Sequence, residues 1–278
     1  MGEQPGAVGY PFLKGHGIRN DFVILPDPDG SVHGDLPLER VRALCDRRAG
    51  IGGDGVLRVV RRPEAEGGRW FMDYRNADGS LAEMCGNGIR VFGRYLAQAG
   101  LVDPATAVEV DTRDGVKVLT FSGGAADGEI TVDMGVPRLL GPTEVGVGER
   151  RYDALGVDVG NPHAVAFVDD LAEAGTLREA PWHDPAFFPA GVNVEFVVRR
   201  GEHHVAMRVH ERGSGETEAC GTGACAVMVA VAEADGTPPE VDYRIDLLGG
   251  TLTIRRTAAG HVLMTGPAVV VAGGTTGL

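Results

Sequence analysis

One word is written twice in this chain, as Met84-Cys85-Gly86-Asn87-Gly88-Ile89-Arg90 and as Ala219-Cys220-Gly221-Thr222-Gly223-Ala224-Cys225. No other feature constrains the fold as much. Each copy sets a thiol before a Gly-x-Gly turn and is followed by helix-compatible sequence, at 91–97 and 226–232. A thiol so placed stands at a helix N-terminus. There the unpaired amides and the helix dipole favour an anion, either the thiolate itself or a bound carboxylate. Two such thiols in one chain point to a two-base enzyme.

The duplication extends beyond the cysteines. His16-Gly17-Ile18-Arg19-Asn20-Asp21 precedes an apolar run at 22–25, as Val159-Gly160-Asn161-Pro162-His163 precedes one at 164–168. Val132-Asp133-Met134-Gly135-Val136-Pro137 is echoed by Leu263-Met264-Thr265-Gly266-Pro267, each after an alternating segment. The sequence after Cys220 is apolar on every helical face, which suits a helix enclosed by a sheet. The sequence after Cys85 is similar but carries Arg90 and Arg94. Short strand-like runs at 56–60, 71–74, 107–110, 116–121, 192–198, 205–209, 244–247 and 252–254 outnumber the helical ones. We therefore expect an α+β fold of two pseudo-symmetric domains, each a curled mixed or antiparallel sheet around a central hydrophobic helix. The glycine-rich break at 123–128 sets the expected boundaries. Residues 1–128, joined by 265–278, form the first domain and residues 129–264 the second. Duplicated units commonly enclose a small-molecule cleft between them.

Composition excludes several classes. The net charge of −13 argues against nucleic acid as the partner, since binding there requires neutralised phosphates. No apolar run reaches the roughly 18 residues of a membrane helix, and residues 1–10 lack the order of an export signal. A cytoplasmic protein with no membrane partner is the expectation, and its four cysteines are expected as free thiols. Cys45 shares a helical face with Leu38, Val41 and Leu44 across 38–48, so it reads as core, and so does Cys225.

Other motifs carry less. Gly50-Ile51-Gly52-Gly53-Asp54-Gly55 fits a dinucleotide fingerprint in letters only, because it follows a helix and precedes a strand; a tight turn is expected. The scattered histidines lack zinc-ligand spacing, and neither Lys14 nor Lys117 sits where pyridoxal phosphate would be anchored. No metal and no cofactor is expected. Glu211-Arg212 reads either as a solvated pair or as a carboxylate beside a thiol with a forked donor for an anionic substrate. Asn20, Asn76, Asn161 and Asn193 read singly as turn or strand-edge residues.

Taken together and in order, these words resemble the diaminopimelate epimerase family. The matching pieces are His16-Gly17-x-x-Asn20-Asp21-Phe22, Gly50-Ile51-Gly52-x-Asp54-Gly55, Asn76-x-Asp78-Gly79-Ser80, Met84-Cys85-Gly86-Asn87-Gly88-x-Arg90, Val132-Asp133-Met134-Gly135, Gly160-Asn161-Pro162-His163, Asn193-Val194 and the run from Glu211 to Gly223. The resemblance implies a cofactor-independent enzyme interconverting LL- and meso-diaminopimelate in lysine and peptidoglycan precursor biosynthesis. It implies that Cys85 and Cys220 act as paired base and acid, assisted by His163 and Glu211. It implies that Gly86, Asn87, Gly221 and Thr222 donate to the reacting carboxylate, and that Asn20, Asn76, Asn161, Asn193 and Arg212 contact substrate. A homodimer is the family's tendency.

The chain departs from the pattern at Arg19, where glycine is usual, at Val91, where a second cysteine is common, and in its leading residues, which are expected to be flexible. Two alternatives stay open: a racemase or epimerase of another amino acid on the same fold, and a catalytically silent small-molecule binding protein. Proline-type enzymes usually carry His where this chain has Asn87.

Overall fold

The computed structural model describes residues 9–278, so the expected flexibility of the leading segment falls mostly outside the described residues. Strands dominate, with three α-helices among the described residues, and the fold is α+β. The chain divides into two compact units, one running up to Ile130 and completed by Ala268–Leu278, the other Thr131–Pro267.

The first unit opens with β1 (Tyr10–Gly17) and β2 (Asn20–Pro26), an antiparallel hairpin closed by Ile18 and Arg19. Both turn residues lie in the left-handed region, with φ of 45° and 68°. This is the mirror-image turn that matches strand twist, and it explains why glycine would be easier than Arg19 there. Helix α1 (Leu38–Cys45) follows. It is shorter than the expected 38–48, because the Asp46 carboxylate accepts from the amides of Arg48 and Ala49 and draws the chain into a turn.

The glycine-rich segment then leads into β3 (Gly55–Arg61), which pairs parallel to β2 and antiparallel to β4 (Trp70–Asn76). Helix α2 (Gly86–Gln98) precedes the hairpin of β5 (Val108–Thr112) and β6 (Gly115–Phe121). Strand β2 is buried on both faces. Val23 and Leu25 pack with Leu36, Val41, Leu44 and Cys45, while Phe22 lies against Gly88 of α2. Burial pushes the Cys45 thiol up to about 11, as befits a core residue.

The second unit repeats this plan. β7 (Ile130–Asp133) leads to the long hairpin of β8 (Arg138–Val147) and β9 (Arg150–Asp158), and β9 pairs antiparallel with β10 (Pro162–Phe167). A short β11 (Trp182–His183) pairs with β8. β12 (Asn193–Gly201) runs parallel to β10, and β13 (His204–Glu211) antiparallel to β12, as β3 and β4 do beside β2. After β14 (Gly215–Thr217) comes α3 (Gly221–Asp235), buried almost throughout from Gly221 to Ala232. β15 (Asp242–Leu247), β16 (Gly250–Arg256) and β17 (Val262–Gly266) complete the unit. The last strand, β18 (Val269–Thr276), pairs with β1 in the first unit.

Candidate active site

Each of the two sequence words builds the same local device. Cys85 and Cys220 are the N-cap residues of α2 and α3, both in extended backbone conformation. The sulfur of each accepts from an amide in the first turn: Gly88 N–H at 3.4 Å for Cys85, Gly223 N–H at 3.3 Å for Cys220. Ser, Asp or Asn usually fills this role, and a thiol placed there sits where the helix best tolerates negative charge. The first amides of a helix have no intrahelical acceptor, so the turns beginning at Gly86 and Gly221 present donors to an anion.

Around Cys85, Asn20 presents its carbonyl oxygen to the thiol at 3.5 Å and also accepts from Asn87 Nδ2 at 3.3 Å. Asn20 Nδ2 donates to Asp54 Oδ2 at 2.7 Å, and Arg47 bridges Asp54 and Asp21 with 2.7 Å contacts to each. Burial raises Asp21, but Arg47 and Lys14 outweigh it and hold the carboxyl well below the usual range. Asn87 is itself fixed by the wholly buried Arg90, which donates to its Oδ1 at 2.7 Å and to Gly86 O at 3.1 Å. Asn76, at the end of β4, donates to Ser80 Oγ at 3.0 Å within a turn.

Around Cys220 the charged groups that act on the thiol are carboxylates. Glu211, the last residue of β13, accepts from the Thr217 hydroxyl and acts electrostatically on the Cys220 thiol. Burial pushes Glu211 up. Burial also pushes Cys220 well up, helped by the carboxylates of Glu211 and Glu195, while Thr222 Oγ1 at 3.6 Å and the Gly223 amide pull the other way. His163, at the start of β10, is fully buried with Nδ1 2.6 Å from Glu195 Oε1 and Nε2 3.0 Å from Asn161 Oδ1. Parallel pairing sets His163 opposite Asn193, whose Oδ1 accepts the Arg212 amide at 2.8 Å. The Arg212 guanidinium donates to Ala190 O at 2.7 Å.

Cys85, Asn20 and Asn87 are thus gathered in the first unit, and Cys220, Glu211, Thr222, His163, Asn161, Asn193 and Arg212 in the second. Cys45 and Cys225 are buried core residues. Among the residues of these clusters that the sequence reading gave no role of their own are Asp54, visible only as a letter of a turn motif, and Glu195, hidden inside an apolar strand. Among the described residues, no three His, Cys, Asp or Glu side chains form a metal-binding group.

The family model described as "Diaminopimelate epimerase" matches residues 12–140 and 156–271. Proteins named diaminopimelate epimerase from Streptomyces coelicolor and Rhodococcus jostii are 58% and 47% identical to this chain; the matches cover 95% of it in each case, and 94% and 96% of the relatives. Among solved structures, a PhzF-family phenazine biosynthesis protein from Bacillus anthracis matches with a TM-score of 0.71 at 15% identity, over 96% of this chain and 99% of that one. A hydroxyproline epimerase from Agrobacterium vitis matches with a TM-score of 0.68 at 16% identity, over 96% and 92%. At such identities these two show the fold alone.

Proposed function

The chain belongs to the diaminopimelate epimerase family and is an isomerase of the racemase/epimerase class; we propose that it inverts one α-carbon of diaminopimelate by proton transfer between Cys85 and Cys220. One thiolate removes the α-proton from one face while the other thiol delivers its proton to the opposite face. The carbon is inverted and the two sulfurs have exchanged protonation state, ready for the reverse direction. The single observation that carries this reading is that both thiols cap helices in matching fashion.

An amino-acid α-proton is weakly acidic, and removing it without an electron sink requires fixed positive potential at the neighbouring carboxylate. The first-turn amides at Gly86, Asn87, Gly221 and Thr222 supply it in this reading, already oriented before charge develops. Asn20, Asn76, Asn161, Asn193 and Arg212 hold the rest of the substrate, with the forked Arg212 suited to a second carboxylate. His163 and Glu211 assist the two thiols in this reading.

The substrate is a small amino acid of lysine biosynthesis. No helix among the described residues is long and apolar enough to cross a membrane. Thiols that must stay reduced suit the cytoplasm, where we place the enzyme; a homodimer is proposed on the family resemblance alone. Incubating the reduced protein with LL-diaminopimelate, and separately with L-proline, tests the reading. Formation of the meso isomer with no D-proline is expected, and the opposite selectivity would overturn it.

A further inference from the structure

Glu195 is a fully buried carboxylate in the middle of an apolar strand, and the mechanism above does not use it. Its Oε1 takes the Nδ1 side of His163 at 2.6 Å, yet its Oε2 is buried with no hydrogen-bond partner among the described residues. A carboxylate half-satisfied in the core costs stability. Nothing about the strand's packing requires it, because Val194 and Phe196 on the opposite face already join the hydrophobic cluster of β8–β12.

Its position relative to α3 is more specific. A Cβ built on Gly223 would stand 2.8 Å from Glu195 Oε1 and 3.1 Å from Cys220 Sγ. Both atoms therefore crowd one point at the start of the helix, and only glycine leaves room for them. Helix N-termini draw thiols toward the thiolate. Here an anion stands beside the thiol and opposes that pull.

We propose, on the basis of the two-thiol reading above, that Glu195 is a positioning residue of the second half-site. It holds His163 by Nδ1 and keeps the proton on Cys220 between turnovers. The groups facing Cys220 act in opposed directions: Glu195 from β12 and Glu211 from β13 hold the proton, and Thr222 and Gly223 of α3 favour its loss. His163 on β10 is bonded to Glu195 and also acts electrostatically on Glu211. Glu195 thereby sets which protonation state the free enzyme presents, and it takes the Nδ1 proton of the imidazole, whose Nε2 faces the Asn161 carboxamide at 3.0 Å. A carboxylate that fixes a histidine tautomer is a recurrent way to make the imidazole act at one nitrogen only.

Glu195→Gln separates these roles, because its amide oxygen can still accept from His163 while the charge is gone. Alkylation of Cys220 by iodoacetamide, followed by peptide mass spectrometry as a function of pH, reads the thiol directly. The midpoint for Cys220 should fall by about one pH unit in the Gln variant, with that for Cys85 unmoved. In turnover, kcat should drop roughly 10²-fold while KM changes less than about threefold. A folded Gln variant with the wild-type Cys220 profile and wild-type kcat would overturn the proposal. Should that variant fail to fold, nitrogen NMR of histidine-labelled wild-type protein decides the same question: a proton on Nδ1 of His163 is expected, and a bare Nδ1 would overturn it. Neither the alkylation profile nor the tautomer depends on turnover. A wild-type protein that shows both yet leaves diaminopimelate unchanged would count against the proposed function and not against Glu195.

Discussion

Asn20 Nδ2 donates to Asp54 Oδ2 at 2.7 Å, and this contact decides which end of the Asn20 amide faces Cys85. Asp54 Oδ2 also accepts the Asp21 amide at 3.1 Å and its Oδ1 accepts from Arg47, so the carboxylate is an acceptor on every side. The NH2 of Asn20 must therefore point to Asp54 and its oxygen to the thiol. Replacing Asp54 with Ala frees the amide to rotate. We expect kcat/KM to fall roughly 10–10²-fold, a loss typical of mispositioned groups. Steady-state kinetics with folding checked by circular dichroism measures it, and unchanged kinetics would contradict the role.

Gly223→Ala should reverse the ordinary rule. In an exposed helix interior the change stabilises by about 1 kcal/mol. Here the new Cβ meets Glu195 Oε1 at 2.8 Å, and we expect a loss of roughly 1–3 kcal/mol together with lower kcat. Thermal or urea unfolding gives the sign.

Arg90→Met keeps an apolar stem of similar length but removes the donor that the buried Asn87 amide oxygen takes from the guanidinium. A destabilisation of roughly 2–4 kcal/mol is expected. A variant as stable as wild type would show that this acceptor finds another donor.

Asp21 predicts the behaviour in acid. Its folded-state pKa lies below the ordinary carboxylate value, so its ion pairs with Lys14 and Arg47 contribute fully above about pH 4. That contribution is lost as pH falls through the depressed folded-state value. Asp21→Asn should lower the melting temperature at neutral pH and flatten its decline in acid. Melting curves of both proteins that stay parallel down the pH series would contradict this.

Much of the fold was legible in the two cysteine words, because a glycine-rich helix start and an apolar helix leave strong local traces. The burial of α3 on all sides follows directly from its residues. What was not legible depends on partners distant in sequence. Glu195 reads locally as one polar letter in a strand, and only the parallel pairing of β12 with β10 brings it to His163. Asp54 likewise gains its role only when Arg47 and Asn20 fold against it. The early end of α1 turns on a single side chain, Asp46, capturing two amides ahead of it.

The central claim is that two thiols act on one carbon. Proton NMR of LL-diaminopimelate in deuterium oxide, with reduced wild-type protein and with Cys85→Ala and Cys220→Ala, tests it most directly. The account predicts that the wild type exchanges the α-proton as the meso isomer appears, and that each variant loses inversion by at least about 10³-fold. Inversion at the wild-type rate by either variant would contradict it.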